Sequence, residues 1–332
     1  MSSHKAIQLI NETSSSIVDK AYNFDQIKKS IDTIHVHFQQ ITHISGFDEK
    51  MEHLAAVTAA KGKALGLNHA AQCLLDYNRT AKFIKAIVLS IKEKQQKHPG
   101  EVIHIFYAGC GPYAPLLTLV APLFKEYEIQ YELLEINGRS IESAKKLIHE
   151  LDLENFVIKY HVNDAVTFQI PKSERFHILI SETLDALLYR ECYVPILFNL
   201  LPQLEPATTV IPENVEIHLS LLTHSSINPD YKELVYGSVF NVRKMLESQE
   251  KTNPLPPQLP SFTVDLTPYD TTRYSHVLLD TKVKVNDDIW IYRNESSLTI
   301  PLEMSLEQPF LFKSIVFQYH LEPEIELKCS VA

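Results

Sequence analysis

The chain has 332 residues, 45% hydrophobic and 22% charged, the balance of a soluble globular protein with room for two domains and a substantial core. A net charge of −10 argues against a nucleic-acid platform, whose footprint is a basic face, and suits cationic ligands. Cys73, Cys110, Cys192 and Cys329 lie far apart with neither a CxxC pair nor Cys/His metal spacing, so free thiols and no metal site are expected.

The opening "MSSHKAIQLINETSSSIVDK" lacks the apolar run of a signal peptide, and "APLLTLVAPLF" (114–124) is too short to span a bilayer. A cytoplasmic protein without a membrane partner is the expectation. Residues 1–96 read as a helical region. In "FDQIKKSIDTIHVHFQQI" the residues Ile27, Ile31, Ile34, Phe38 and Ile41 recur at spacings of three and four, one face of a helix. A second helical pattern runs through "CLLDYNRTAKFIKAIVLSIKE". From 97 to 222 the apolar runs "VIHIFY", "YELLE", "FVIKYHV" and "FHILIS" alternate with helical stretches such as "RSIESAKKLIHEL". That alternation predicts an α/β domain with a parallel sheet and crossover helices. Residues 223–332 shift to short strands, among them "SHVLLDTKVKV", "IWIYR" and "FKSIVFQYHL", and predict a β-rich domain. "TNPLPPQLP" (252–260) reads as a connector, since proline excludes regular structure there.

Only eight glycines occur, and Gly109 and Gly111 stand together in "IHIFYAGCGPYAP". A Gly-x-Gly turn directly after a buried strand allows close backbone approach to a ligand, although Ala114 takes the place of a third glycine. Glu135 ends the next strand, where such sheets present an acid to a ribose diol. Asp164, in "HVNDAV", stands where a carboxylate accepts from an adenine amino group. Singly these are a tight turn and two solvated strand-end acids; in this order they point to a nucleoside cofactor.

"SETLDALLYRE" then sets Glu182 and Glu191 nine residues apart in apolar company, straight after "FHILI". Carboxylates avoid such surroundings unless a cation compensates them. The plainer reading makes Glu182 a polar strand end and Glu191 the acidic start of a solvated helix. Asp185, between them, reads as a loop acid.

These motifs resemble the protein arginine methyltransferase family of class I S-adenosylmethionine-dependent methyltransferases, over about residues 70 to 222. "LLDYNRTAKF" is similar to the family's helix with an acid, Arg-Thr and an aromatic; "AGCGP" to its glycine turn; "SETLDALLYRE" to its double-glutamate loop. The resemblance implies a Rossmann-like methyltransferase domain, a helical N-terminal region and a barrel-like β-rich C-terminal domain. It implies S-adenosyl-L-methionine as cofactor, held by Asp76, Arg79, Gly109, Gly111, Glu135 and Asp164, with Arg79 on the methionine carboxylate. Glu182 and Glu191 would clamp a guanidinium, which is planar, offers five donors and stays protonated. The partner would be a guanidino small molecule or an arginine-containing peptide, and the assembly a homodimer.

The chain also departs from that pattern. The family's Thr-His-Trp loop, whose His pairs with the acid at Asp76, is missing; His276 and His320 are the candidate stand-ins, and Trp290 is the sole tryptophan. Tyr107 replaces an acid at the end of the first strand, Thr183 replaces a bulky residue, and 228–250 reads as a short remnant of a helical dimerisation arm. Two other functions stay open: methylation of a different amine, hydroxyl or carbon by the same fold, and a non-catalytic scaffold.

Overall fold

Two amphipathic helices, α1 (Ser3–Val18) and α2 (Phe24–Thr42), begin the chain. The structure, a computed structural model, describes residues 3–19, 23–248 and 256–332. Asn23 caps α2 by accepting from Gln26 N, and of the expected stripe Ile27, Ile31, Ile34 and Phe38 are buried while Ile41 is half-buried. Each such side chain removed from water contributes about 2 kcal/mol. The short α3 (Met51–Leu54), a hairpin of β1 (Val57–Thr58) and β2 (Lys63–Ala64), and α4 (Leu67–Gln72) lead into α5 (Tyr77–Lys97). The lead is therefore not uniformly helical. "AAVTAAKGKALG" has no apolar period, and Gly62 turns the hairpin at φ +77°.

The centre is the expected α/β domain. Its strands are β3 (Ile103–Ala108), β4 (Ile129–Glu135), β5 (Val157–Val162), β6 (Ile178–Ser181) and β7 (Thr209–Ile211), with α6 (Pro115–Thr118), α7 (Gly138–Glu150) and α8 (Tyr193–Leu200) between them. All pair in parallel in the order β5-β4-β3-β6-β7. The near-continuous apolar runs seen in the sequence are what a sheet covered on both faces requires. From β3 the chain moves outward through β4 to β5, then returns past β3 to β6. The crevice between the carboxyl ends of β3 and β6 is thus the topological switch point, the usual ligand position in such sheets.

The β-rich domain starts earlier than the 222/223 boundary read from the sequence. β8 (Asn214–Leu222) pairs antiparallel with β9 (Glu233–Asn241) and β11 (His276–Asn286), not with the parallel sheet. Among the described residues of 228–250, β9 is strand and only α9 (Val242–Ser248) is helical. β10 (Phe262–Asp265), β12 (Ile289–Ile291), β13 (Leu302–Ser305), β14 (Ser314–His320) and β15 (Glu326–Val331) complete two antiparallel sheets, β12-β11-β8-β9 with β13 on β11, and β10-β14-β15. Phe240 of β9 and Tyr319 of β14 stack at 4.7 Å and bridge the two sheets. Of the connector, 252–255 lie outside the described residues, while Gln258 bridges to His320 and Leu259 N donates to Tyr319 O at 2.8 Å.

Candidate active site

Register brings the glycine turn and the acid loop together. Ala108 pairs with Ser181, so Gly109 and Glu182 leave neighbouring strands at the same level. Gly109 and Gly111 both adopt left-handed conformations, φ +75° and +66°, that other residues reach only with strain. A Cβ on Gly109 would stand 2.2 Å from Thr183 Cγ2, so the glycine is needed for close approach of the acid loop. Glu135, buried at the end of β4, accepts from Gly111 N at 2.9 Å and from Asn137 N at 3.0 Å. Burial raises its carboxyl above the usual range, and these amides partly offset that.

One pocket is lined by Arg79, Gly109, Gly111, Glu135, Asp164, Glu182 and Glu191. Seven of the eight residues that the resemblance assigns to cofactor or guanidinium therefore meet in one place. Arg79 reaches it from the first turn of α5 and forms an ion pair with Glu182, both side chains about nine-tenths buried (9% and 10% exposed). Glu182 Oε1 is buried without a hydrogen-bond partner among the described residues, as is Asp185 Oδ1. Burial pushes Glu191 up to about 7, with Arg79 opposing the shift. Burial and the neighbouring Glu191 raise Asp185 to about 8. One arginine thus faces an excess of carboxylate, an arrangement that favours an incoming cation.

The acid loop is held in an uncommon conformation. Leu187, Leu188 and Arg190 have φ of 60°, 56° and 85° without being glycine. Such residues persist where surroundings over-determine them. Here Leu187 N donates to Thr281 Oγ1 (2.8 Å), Tyr319 OH donates to Leu188 O (2.8 Å) and Arg190 N donates to Ile325 O (3.2 Å). The β-rich domain therefore shapes the loop that carries both glutamates.

Asp76 does not line the pocket. It caps α5, and its Oδ2 accepts from Ser296 Oγ (2.6 Å), Ser297 N (2.8 Å) and Ser297 Oγ (2.7 Å). The expected histidine partner is thus corrected to a serine pair. His276 lies beside Glu303, 3.8 Å away, and His320 sits in β14; neither lines the pocket. Sequence spacing also gave no hint that His98, Glu101 and His177 bring ligating atoms within 4.8 Å of one another at the amino ends of β3 and β6. His177 Nδ1 there accepts from His104 N at 3.0 Å.

The residues present fit a nucleoside ligand. Two left-handed glycines open the backbone at the switch point, and a buried carboxylate follows on the next strand. Architecture and site geometry together define a Rossmann-like α/β domain followed by a β-rich domain. A solved structure of this kind is the enzyme–prozyme heterotetrameric complex of Trypanosoma brucei PRMT1 with AdoHcy, similar to this chain at TM-score 0.52 and 10% identity over 78% of this chain and 91% of that one. At that identity the likeness is one of fold. No family model and no curated protein matches the sequence. Among the described residues no helix is long and apolar enough to cross a membrane.

Proposed function

We propose that the protein is an S-adenosylmethionine-dependent N-methyltransferase that acts on a guanidino group, free arginine or a related small molecule in preference to arginine in a protein. The observation that carries this reading is the meeting of Glu182, Glu191 and Arg79 in the pocket that also holds Gly109, Gly111 and Glu135. AdoHcy in the trypanosomal neighbour supports the choice of cofactor.

The cofactor, when bound, would supply an electrophilic methyl group carried on its sulfonium sulfur and leave as S-adenosylhomocysteine. Glu135 would hold the ribose hydroxyls. Arg79 uses one nitrogen on Glu182 and keeps further donors for the methionine carboxylate. Glu182, through its unpartnered Oε1, and Glu191 would fix the guanidinium so that one nitrogen faces the methyl group. Their negative charge offsets the cost of bringing two cations together in a low-dielectric pocket. Positioning then provides much of the catalysis. The small-molecule preference rests on the hairpin 57–64, whose Ala59, Lys63 and Ala64 line the pocket.

Transfer of a labelled methyl group to free guanidino compounds, run beside a panel of arginine peptides, tests this. Labelling of the small compounds is expected. Labelling of peptides alone would reverse the substrate preference, and no labelling together with no calorimetric binding of S-adenosylhomocysteine would remove the whole reading.

A further inference from the structure

Asp164 uses both carboxylate oxygens on backbone amides. Oδ1 accepts from Val166 N at 2.9 Å, closing the turn after β5, and Oδ2 accepts from Ala60 N at 2.6 Å. Ala60 is at the tip of the β1–β2 hairpin. On the far side of that tip Lys63 N donates to Arg190 O (3.1 Å), Cys192 Sγ donates to Lys61 O (3.0 Å), and Lys61 pairs with Glu322. Gly62 lies so close to its neighbours that a Cβ would stand 2.5 Å from Ile325 Cδ1 and 2.7 Å from Arg190 O. No residue from 55 to 65 is buried. Two-residue strands without a buried face are not stable alone, so these polar contacts decide where the hairpin sits. Glu322 is half exposed, which screens its pair with Lys61; the Asp164 contact is the charge-assisted bond to backbone.

We propose that Asp164 latches hairpin 57–64 across the pocket, and that this latch, rather than recognition of a base's exocyclic amino group, is what Asp164 contributes to ligand binding. The ligand half of this inference rests on the nucleoside reading above. An ionised carboxylate facing the base would reject a 6-oxo purine, whose oxygen is an acceptor like its own. A carboxylate turned to Ala60 N is indifferent to that exchange. The hairpin also touches the acid loop, so the latch links the base end of the pocket to the glutamate end.

Two measurements test it. In the ligand-free protein, Asp164→Ala should speed hydrogen exchange at the Ala60 amide by roughly tenfold or more, the loss expected for one hydrogen bond to a charged group. Unchanged exchange overturns the latch. Calorimetry then compares S-adenosylhomocysteine with its 6-oxo analogue, S-inosylhomocysteine. The wild type should bind both within about threefold, and Asp164→Ala should weaken both alike, by about tenfold or more. Gly62→Ala, which strains the hairpin without touching Asp164, should also weaken both. Strong wild-type preference for the adenosyl ligand that Asp164→Asn erases would overturn the proposal. Binding of neither ligand would remove the nucleoside reading, and the exchange experiment would still decide the latch.

Discussion

Arg79 and Glu182 are joined by an ion pair with both side chains about nine-tenths buried, linking the first turn of α5 to the carboxyl end of β6. A buried pair of this kind is worth little net stability, but leaving either partner alone is costly. Arg79→Met and Glu182→Leu should each destabilise the fold by about 3–5 kcal/mol. The double variant should be more stable than either single one. Chemical denaturation through a double-mutant cycle checks this; additive losses would mean that the two side chains do not interact.

Glu191 and Asp185 make stability depend on pH in the absence of a cationic ligand. Both carboxyls are raised, to about 7 and about 8, by burial and, for Asp185, by Glu191. A folded state with raised acid pKa values binds more protons than the unfolded chain between those values and the usual carboxylate range near 4. Stability should therefore fall as pH rises from about 5 to about 8 and level off above that. The two carboxyls titrate as a coupled pair, so Glu191→Gln with Asp185→Asn should flatten the fall in a series of thermal melts. A guanidino ligand should flatten it too, because a nearby cation favours the carboxylate form.

Gly109 is expected to resist substitution for two separable reasons, its positive φ and its contact with Thr183 Cγ2. Gly109→Ala should cost about 2–4 kcal/mol by denaturation midpoint. Adding Thr183→Ala removes the clashing methyl and should recover part of that cost, leaving the backbone strain. If Thr183→Ala recovers nothing, the loop does not approach the turn as described.

Asp76 joins the start of α5 to Ser296 and Ser297 of the β-rich domain rather than lining the pocket. Asp76→Ala removes a helix cap and three hydrogen bonds from Ser296 and Ser297. A loss of about 2–4 kcal/mol is expected, with faster hydrogen exchange at the Ser297 amide. Ser297→Ala alone should cost less, about 1 kcal/mol, because the backbone donor remains.

How much of this was legible in the sequence followed from range. The α2 stripe, the parallel-sheet strands and the glycine turn are local patterns, and each lies where its periodicity or residue type points. Glu182 and Glu191 could be singled out because carboxylates in an apolar run demand a reason. The left-handed Leu187, Leu188 and Arg190 could not, since none is glycine and their partners Thr281, Tyr319 and Ile325 lie 94 or more residues away. The hairpin 57–64 was hidden because small residues without a period carry no strand signal. Ser296 and Ser297, whose two hydroxyls and one backbone amide hold Asp76, lie 220 and 221 residues beyond it, and no local pattern links them to it.

The central claim is that Glu182 and Glu191 hold a guanidinium at the cofactor's methyl group. Labelled methyl transfer to free guanidino compounds by the wild type and by Glu191→Gln, with S-adenosylhomocysteine affinity measured on the same samples, tests it most directly. The account predicts that Glu191→Gln loses at least about a hundredfold in transfer, as loss of an electrostatic contact at the reacting centre would, while cofactor affinity changes less than about threefold. Undiminished transfer by the Gln variant would contradict it.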